Sequence, residues 1–349
     1  MIHCLACGAG NAAASVGLCP SCLKKYPERK RLIRLHGPSR KRAGLPEIPP
    51  RNPTGGEPGG AVCTLCANRC SPSPGQTGYC GVRVNTGGSC ISKSPPGAAF
   101  LHYYFDRLPT NCCAAWFCGG SSEDGDNLAV FFYGCGFDCF FCQNASHKII
   151  GEAPVVSIDE LVRVALRPRV RCVCFFGGSP EPQLPFALEA AERILEASEN
   201  KKRICWEWNG SGNEALVERA ARISLLSGGT VKFDLKAFHP NVGCALCGVD
   251  IEPAFRNFRL LAEKFPPRDL LTATTLLVSG YVDEEEVSGI SGFLAGLDPG
   301  IPYSLLVFHP DHLLDDLPVT PKSQVFGCFE AARRYLERVE IGNRGLIQP

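Results

Sequence analysis

The segment CGFDCFFCQN, Cys135 to Asn144, carries three cysteines within eight positions. Two phenylalanines separate the last pair, where a structural zinc knuckle more often carries small or polar residues. Other cysteines stand in fours. Cys4, Cys7, Cys19 and Cys22 form CxxC-x11-CxxC, the pattern of a zinc ribbon in which two knuckles offer four thiolates to one tetrahedral ion. Unliganded thiols or a small iron–sulfur cluster are the alternatives. Cys63, Cys66, Cys70 and Cys80 form CxxC-x3-C-x9-C, with glycines at 75, 78 and 81 that permit tight turns. Zinc and an auxiliary iron–sulfur cluster both suit that set, because both accept four thiolates.

The remaining cysteines are less specific. Cys112, Cys113 and Cys118 are either ligands of a further cluster or small buried residues. Cys244 and Cys247 form a CxxC with only two ligands in view: a redox dithiol, half of a metal site, or inert thiols. Cys172 and Cys174 alternate within an apolar run and share a face, which reads as core or barrel lumen. Cys90, Cys205 and Cys328 read as packing residues.

The elements that must position these groups are legible from 128 onward. NLAVFFYG, RVRCVCFFGG, KRICWEWNG, GTVKFDLKAF, LLTATTLLVSG and IPYSLLVFHP are near-continuous apolar or β-branched runs, as strands covered on both faces require. SIDELVRVALRP opens with an N-cap serine and an acidic first turn. LPFALEAAERILEASEN, NEALVERAARISLLSGG and EPAFRNFRLLAEKF repeat the helical period. Six such units predict an α/β fold, a partial (β/α)6 TIM-type barrel, preceded by cysteine-rich modules. In such folds the chemistry sits at the C-terminal ends of the strands, where YGCG, FGGSPEP, WNGSG, DLKAF and FHPD fall.

Upstream, four parts are expected: a zinc-ribbon-like module at 1–36, a linker at 37–60, a cysteine-rich extension at 61–127, and the barrel at 128–349. Basic residues dominate from Lys24 to Arg42 and read as a solvated arm, with docking to an acidic partner or RNA as the alternative. Gly44–Gly60 is rich in proline and glycine, so the ribbon is expected to be tethered and separable. Lys and Arg total 36 against 35 Asp and Glu, which argues against a surface built for nucleic acid or anionic membrane. No apolar run approaches a membrane span of about 18 residues. The start MIHCLACGAG lacks the pattern of a signal peptide, so a cytoplasmic protein is expected. In that reducing compartment, 21 cysteines favour metal ligation over disulfides.

The three-cysteine segment follows the first barrel strand. Three cysteines can bind three irons of a [4Fe–4S] cube and leave the fourth open, unlike a structural site, which closes every position. Cys135, Cys139 and Cys142 resemble the cluster motif of the radical S-adenosylmethionine (SAM) superfamily, and CQN resembles its pyruvate formate-lyase activating-enzyme branch. CTLCANRCSPSPGQTGYCGVRVN, DLKAF, TTLLVSGYVDEEEV, FHPD and IGNRGLI are similar to segments of the AmmeMemoRadiSam-system radical SAM proteins, so the resemblance covers about residues 61–349. LPTNCCAAWFC departs from that group and points to a neighbouring subfamily.

The resemblance implies an oxidoreductase-like enzyme that cleaves SAM reductively to a 5′-deoxyadenosyl radical, which abstracts hydrogen from an unidentified substrate. It implies Cys135, Cys139 and Cys142 as catalytic cluster ligands. It implies SAM contacts from Gly177, Gly178, Asn209, Asp234, Lys236 and His309. The family places Glu directly after the two glycines; here Ser179 follows and Glu181 comes two positions later, which puts a glutamate contact in doubt. It also implies a flavodoxin- or ferredoxin-like reductant. Two other functions compete. One is a glycyl-radical-enzyme activase acting on a protein partner, against direct modification of a small molecule or peptide. The other is a zinc-ribbon protein targeted to nucleic acid or a complex through the basic arm.

Overall fold

The computed structural model describes residues 1–51, 61–110 and 112–347. Part of the expected linker, 52–60, lies outside the described residues. Along the chain, α1 (Pro20–Lys24), α2 (Arg29–Arg34) and α3 (Gly37–Arg42) precede a hairpin of β1 (Arg83–Asn85) and β2 (Cys90–Ser92). Next come β3 (Ala98–Arg107), β4 (Asp126–Phe132) and β5 (Val155–Ser157). Strands and helices then alternate: α4 (Ile158–Ala165), β6 (Val170–Gly177), α5 (Leu184–Ala197), β7 (Arg203–Trp208), α6 (Glu214–Ser227), β8 (Val231–Asp234), α7 (Pro240–Cys247), α8 (Glu252–Lys264) and α9 (Pro267–Leu270). The chain closes with β9 (Leu271–Leu277), α10 (Glu284–Ala295), β10 (Tyr303–Val307), α11 (Lys322–Arg333) and β11 (Val339–Gly342).

The local causes match the sequence. Ser157 caps α4 by accepting from the Glu160 amide, Asp159 and Glu160 occupy its first turn, and Ile158, Leu161, Val164 and Ala165 form one buried face. Asn213 caps α6, and Gly228 ends it at φ 67°, in the left-handed region that glycine enters without a Cβ clash. Every residue of β9 is buried, which is why its sequence shows no polar alternation. All six expected strands form, and the sheet is mostly parallel, as the α/β class requires.

The chain forms two compact units. One comprises Ser39–Gly136 and Asn144–Lys232. In it β4 pairs parallel with β6, and β6 with β7, while β3 pairs antiparallel with both β4 and β5. Thus β3, drawn from the cysteine-rich extension, continues the sheet. The other unit comprises Met1–Pro38, Phe137–Gln143 and Phe233–Pro349, with β10 parallel to both β9 and β11.

Two expectations about the N-terminus are corrected. The ribbon does not stand apart from the chain that follows. The Tyr281 hydroxyl accepts from the Ala13 amide at 2.8 Å and donates to the Leu18 carbonyl at 2.8 Å. The Asn241 amide donates to the carbonyls of Leu23, Lys24 and Tyr26, and Lys24 faces Glu285 at 2.7 Å, Glu286 at 3.5 Å and Asp283 at 3.6 Å. These bonds satisfy backbone groups that a loose knuckle would leave to water. The basic arm, in turn, is not simply solvated. It folds into α2 and α3 and buries Leu32, His36 and Arg40. Arg40 lies over the Tyr79 ring at 3.4 Å and donates to the carbonyls of Pro46 and Tyr79.

Candidate functional site

In the first unit, the end of β4 and the turn after β6 interlock through glycines. Gly134 has φ 82° and Gly177 has φ 115°. A Cβ at Gly177 would lie 2.6 Å from the Phe132 nitrogen, and one at Gly178 would lie 2.5 Å from the Gly134 carbonyl oxygen. No side chain fits either position. The close approach lets the Gly178 amide donate to the Phe132 carbonyl at 2.9 Å and the Ser179 amide to the Gly134 carbonyl at 3.2 Å. The Asn144 amide reaches the Gly177 carbonyl at 3.4 Å.

Beyond this turn a buried polar network ends on Cys135. Asn209 donates through Nδ2 to Ser179 Oγ at 3.0 Å and towards Cys135 Sγ at 3.6 Å. Its Oδ1 accepts from the Ser211 amide and hydroxyl at 2.9 and 2.6 Å. Glu181 is fully buried, accepts from the Gly210 amide at 2.9 Å through Oε1, and takes the Ser179 hydroxyl on Oε2. Burial outweighs these donors and pushes its carboxyl above the ordinary range. Both Glu181 oxygens are therefore engaged in tying the GGSPEP turn to the WNGSG turn. Cys66 bridges to Gly212, the Ala67 amide donates to the Ser211 carbonyl at 2.8 Å, and Asn68 donates to the Gly136 carbonyl at 2.6 Å. The segment of Cys63, Cys66, Cys70 and Cys80 is thus bonded to the same turn and to the residue after Cys135.

In the second unit, the 137–143 segment is clamped from two sides. Helix α7 receives its backbone: the Asp138 amide donates to the Cys247 carbonyl at 2.8 Å and the Phe140 amide to the Leu246 carbonyl at 2.9 Å. The neighbouring Cys247 thiol holds that of Cys139 below its ordinary pKa, while burial raises Cys247's own. On the other side His36 stacks on Phe140, with ring centroids 3.7 Å apart. It donates through Nε2 to the Ala245 carbonyl at 2.9 Å, and its Nδ1 lies 3.0 Å from Asp138 Oδ2. Phe140 and Phe141 are both buried, and the Lys236 ammonium sits 5.4 Å from the Phe141 ring. Burial works against that ammonium, but Asp234 and the nearby thiols outweigh it and raise its pKa. Asp234 and Lys236 form an ion pair. Gln143 donates to His309 Nε2 at 2.9 Å, which leaves Nδ1–H for the Pro310 carbonyl at 3.2 Å.

The sequence reading missed His36 and the Cys247–Cys139 contact. Cys244 and Cys247, the CxxC pair with only two ligands in view, lie on α7 and are buried. A histidine ending a basic stretch carries no signal of burial, and a 108-residue separation hides the pairing of Cys139 with Cys247.

The ribbon cysteines converge. The Sγ atoms of Cys4, Cys7, Cys19 and Cys22 all lie within 4.8 Å of one another. Cys7 and Cys19 are 3.7 Å apart, close to the ~3.8 Å that tetrahedral bonds of about 2.3 Å would give around zinc. The Cys19 amide also donates to Cys4 Sγ at 3.3 Å. This group can hold a metal ion. No disulfide joins cysteines among the described residues.

Residues 129–288 match the model of the radical SAM superfamily. Curated proteins give no match. A domain of a pyruvate-formate lyase-activating enzyme from Bacteroides vulgatus aligns at 20% identity over 49% of this chain and 98% of its own, with a TM-score of 0.41. Streptococcus suis SuiB bound to the precursor peptide SuiA aligns at 14% identity over 60% of this chain, with a TM-score of 0.48; the match spans 47% of that protein. A radical SAM methyltransferase from Sphaerobacter thermophilus aligns at 17% identity over 62% of this chain and 66% of its own, with a TM-score of 0.47. Among the described residues no helix is long and apolar enough to cross a membrane. The match to the radical SAM superfamily model spans the three-cysteine segment and both strand-end turns described above.

Proposed function

We propose that this protein is a radical SAM enzyme that cleaves SAM reductively and uses the resulting 5′-deoxyadenosyl radical to abstract hydrogen from a substrate. The observation that carries the reading is the pair of buried supports for the three-cysteine segment: the Ser179–Asn209 network ending on Cys135, and, on either side of Cys139, the α7 carbonyls that accept from the Asp138 and Phe140 amides together with the His36 ring stacked on Phe140. The donor set suits a [4Fe–4S] cluster: three thiols, two buried and one half-buried, in a family whose members carry that cluster. A cluster on Cys135, Cys139 and Cys142 would supply the electron that opens the SAM sulfonium, and an external reductant of flavodoxin or ferredoxin type would recharge it.

The chain's own residues bind, orient and exclude water. Asn209 donates to one ligand sulfur, a contact that tunes potential and fixes the thiolate. Gly177 and Gly178 expose backbone to a ligand's amino group because a side chain cannot stand there. Asp234, Lys236 and His309 are the further SAM contacts, by hydroxyl, carboxylate and ring contacts respectively. Glu181 acts through the two turns it joins, as a positioning residue. Phe140 and Phe141 keep water from the segment. The ribbon holds zinc as a structural ion. Its docking through Tyr281 and Asn241 weakens the reading in which it serves as a mobile targeting arm. The substrate is a small molecule or a peptide modified directly, with activation of a partner protein as the competing reading.

The test is anaerobic reconstitution, addition of SAM and dithionite, and detection of 5′-deoxyadenosine by mass spectrometry. Product is expected from the wild type and not from Cys142→Ala at unchanged circular dichroism. A cluster-loaded wild type that yields none would overturn the reading.

A further inference from the structure

A cavity of about 230 Å³ opens on one face of the first unit's sheet, and it is lined by sulfur. Cys172 and Cys174 from β6 and Cys205 from β7 point into it, with Cys174 and Cys205 paired in register. Leu108, Thr110, Cys112, Ala114 and Cys118 line it as well. Its charged lining is Glu207 and Lys232 beside the thiols, with Asp106 and Arg203 also on the wall. Lys232 is 2% exposed; its ammonium lies 3.2 Å from Cys112 Sγ, 3.2 Å from Cys174 Sγ and 3.0 Å from Glu207. The ligand atoms of Cys112, Cys113 and Glu207 all lie within 4.8 Å of one another. Cys172, Cys174 and Cys205 read from sequence as lumen or packing residues; here they form the cavity lining. None of these groups belongs to the three-cysteine segment or to the turns that support it.

We propose that Cys112, Cys113 and Glu207 bind a single thiophilic divalent ion of the zinc class, with the fourth position open to the cavity. Three arguments converge. The donor atoms lie within 4.8 Å of one another, near enough to close on one ion with tetrahedral bonds of about 2.0–2.3 Å, whereas cysteines around an iron–sulfur cube stand farther apart. The charges close: two thiolates and a carboxylate carry three negative charges, and a divalent ion plus the Lys232 ammonium carry three positive. Three protein ligands and one open position facing a cavity is the form of a reactive zinc site, not of a closed structural one. Binding releases the two thiol protons to solvent. Lys232 then donates to a ligand sulfur and to the ligand carboxylate, fixing both, and favours a small anionic oxygen donor at the open position. This site stands independently of the SAM chemistry.

The experiment counts metal per chain in anaerobically purified full-length protein by mass spectrometry. Cys112→Ser and Cys113→Ser are each expected to lose one zinc equivalent relative to wild type, while Cys328→Ser keeps the wild-type count and all retain their iron. Glu207→Gln is expected to weaken retention against a chelator about 10–100-fold. An unchanged zinc count in both cysteine variants overturns the proposal. So does a Cys112–Cys113 disulfide in the native protein, or a loss of iron and sulfide in place of zinc. Should the variants fold poorly, alkylation of the wild type decides. Cys112 and Cys113 are expected to be protected until a chelator is added, and equal labelling before and after overturns the site.

Discussion

In residues 4–22 four thiols converge on one point, while around Cys112 two thiols and a carboxylate converge beside a cavity and a buried lysine. Both groups have donor atoms close enough for a single ion. The first supplies every position of a tetrahedron from the chain itself. Its flanks are used for docking: Ala13 and Leu18 meet Tyr281, and Lys24 meets three carboxylates. The second supplies three positions and keeps space beside them. The difference teaches that chemistry here is marked by what a thiol set leaves open. The 135–142 segment follows the same rule, with three cysteines and supports that bear on the ligands themselves.

If that contrast is right, damage to an open set should abolish reaction, and damage to the closed set should cost stability first. The largest effect is expected for Cys135→Ala: 5′-deoxyadenosine formation should fall at least about 1000-fold, with the ribbon's zinc retained. Product at wild-type rate would break the comparison at its centre. Cys19→Ala comes next. Loss of one zinc should remove folding free energy on the order of several kcal/mol, read by chemical denaturation, while cluster iron per folded chain persists. If stability holds and turnover alone collapses, the ribbon is not a closed structural site.

His36→Ala should cost ~3 kcal/mol, through a cavity beside Phe140 and two lost polar contacts, and should lower cluster occupancy. An unchanged iron-to-sulfide content at lowered stability would assign His36 to packing alone. Tyr281→Phe removes one acceptor and one donor at the ribbon and should cost about 1–2 kcal/mol without changing metal content. Lys24→Ala is the smallest, at ~1 kcal/mol or less, because Glu285 and Asp283 are exposed, and the effect should shrink with added salt. A larger, salt-independent loss would place the weight on buried Glu286.

Much of the fold was legible because its causes are local. The six apolar runs became β4 and β6 to β10, and the Ser157 cap stands at the start of α4. Gly177 and Gly178 were marked by the family resemblance, and the structure shows why no side chain fits there. The N-terminus was misjudged because a basic stretch of 24–42 looks solvated unless its partners are known. Arg40 lies on Tyr79, and His36 has Phe140 and Asp138 to stack on and bond. Glu207 and Lys232 drew no notice, although a charge inside an apolar strand run is a signal of a paired or ligating group.

By itself the sequence determined how many thiols stand together, which turns need glycine, and which superfamily the central segment resembles. Spacing along a chain and local φ/ψ limits are properties of neighbours. Only the tertiary structure decided that Cys247 meets Cys139, that His36 packs on Phe140, and that Cys112 and Cys113 face Glu207. Those meetings join residues 94 to 108 positions apart, from Cys113 with Glu207 to Cys139 with Cys247. They depend on strand register and helix docking, which no stretch of sequence contains on its own.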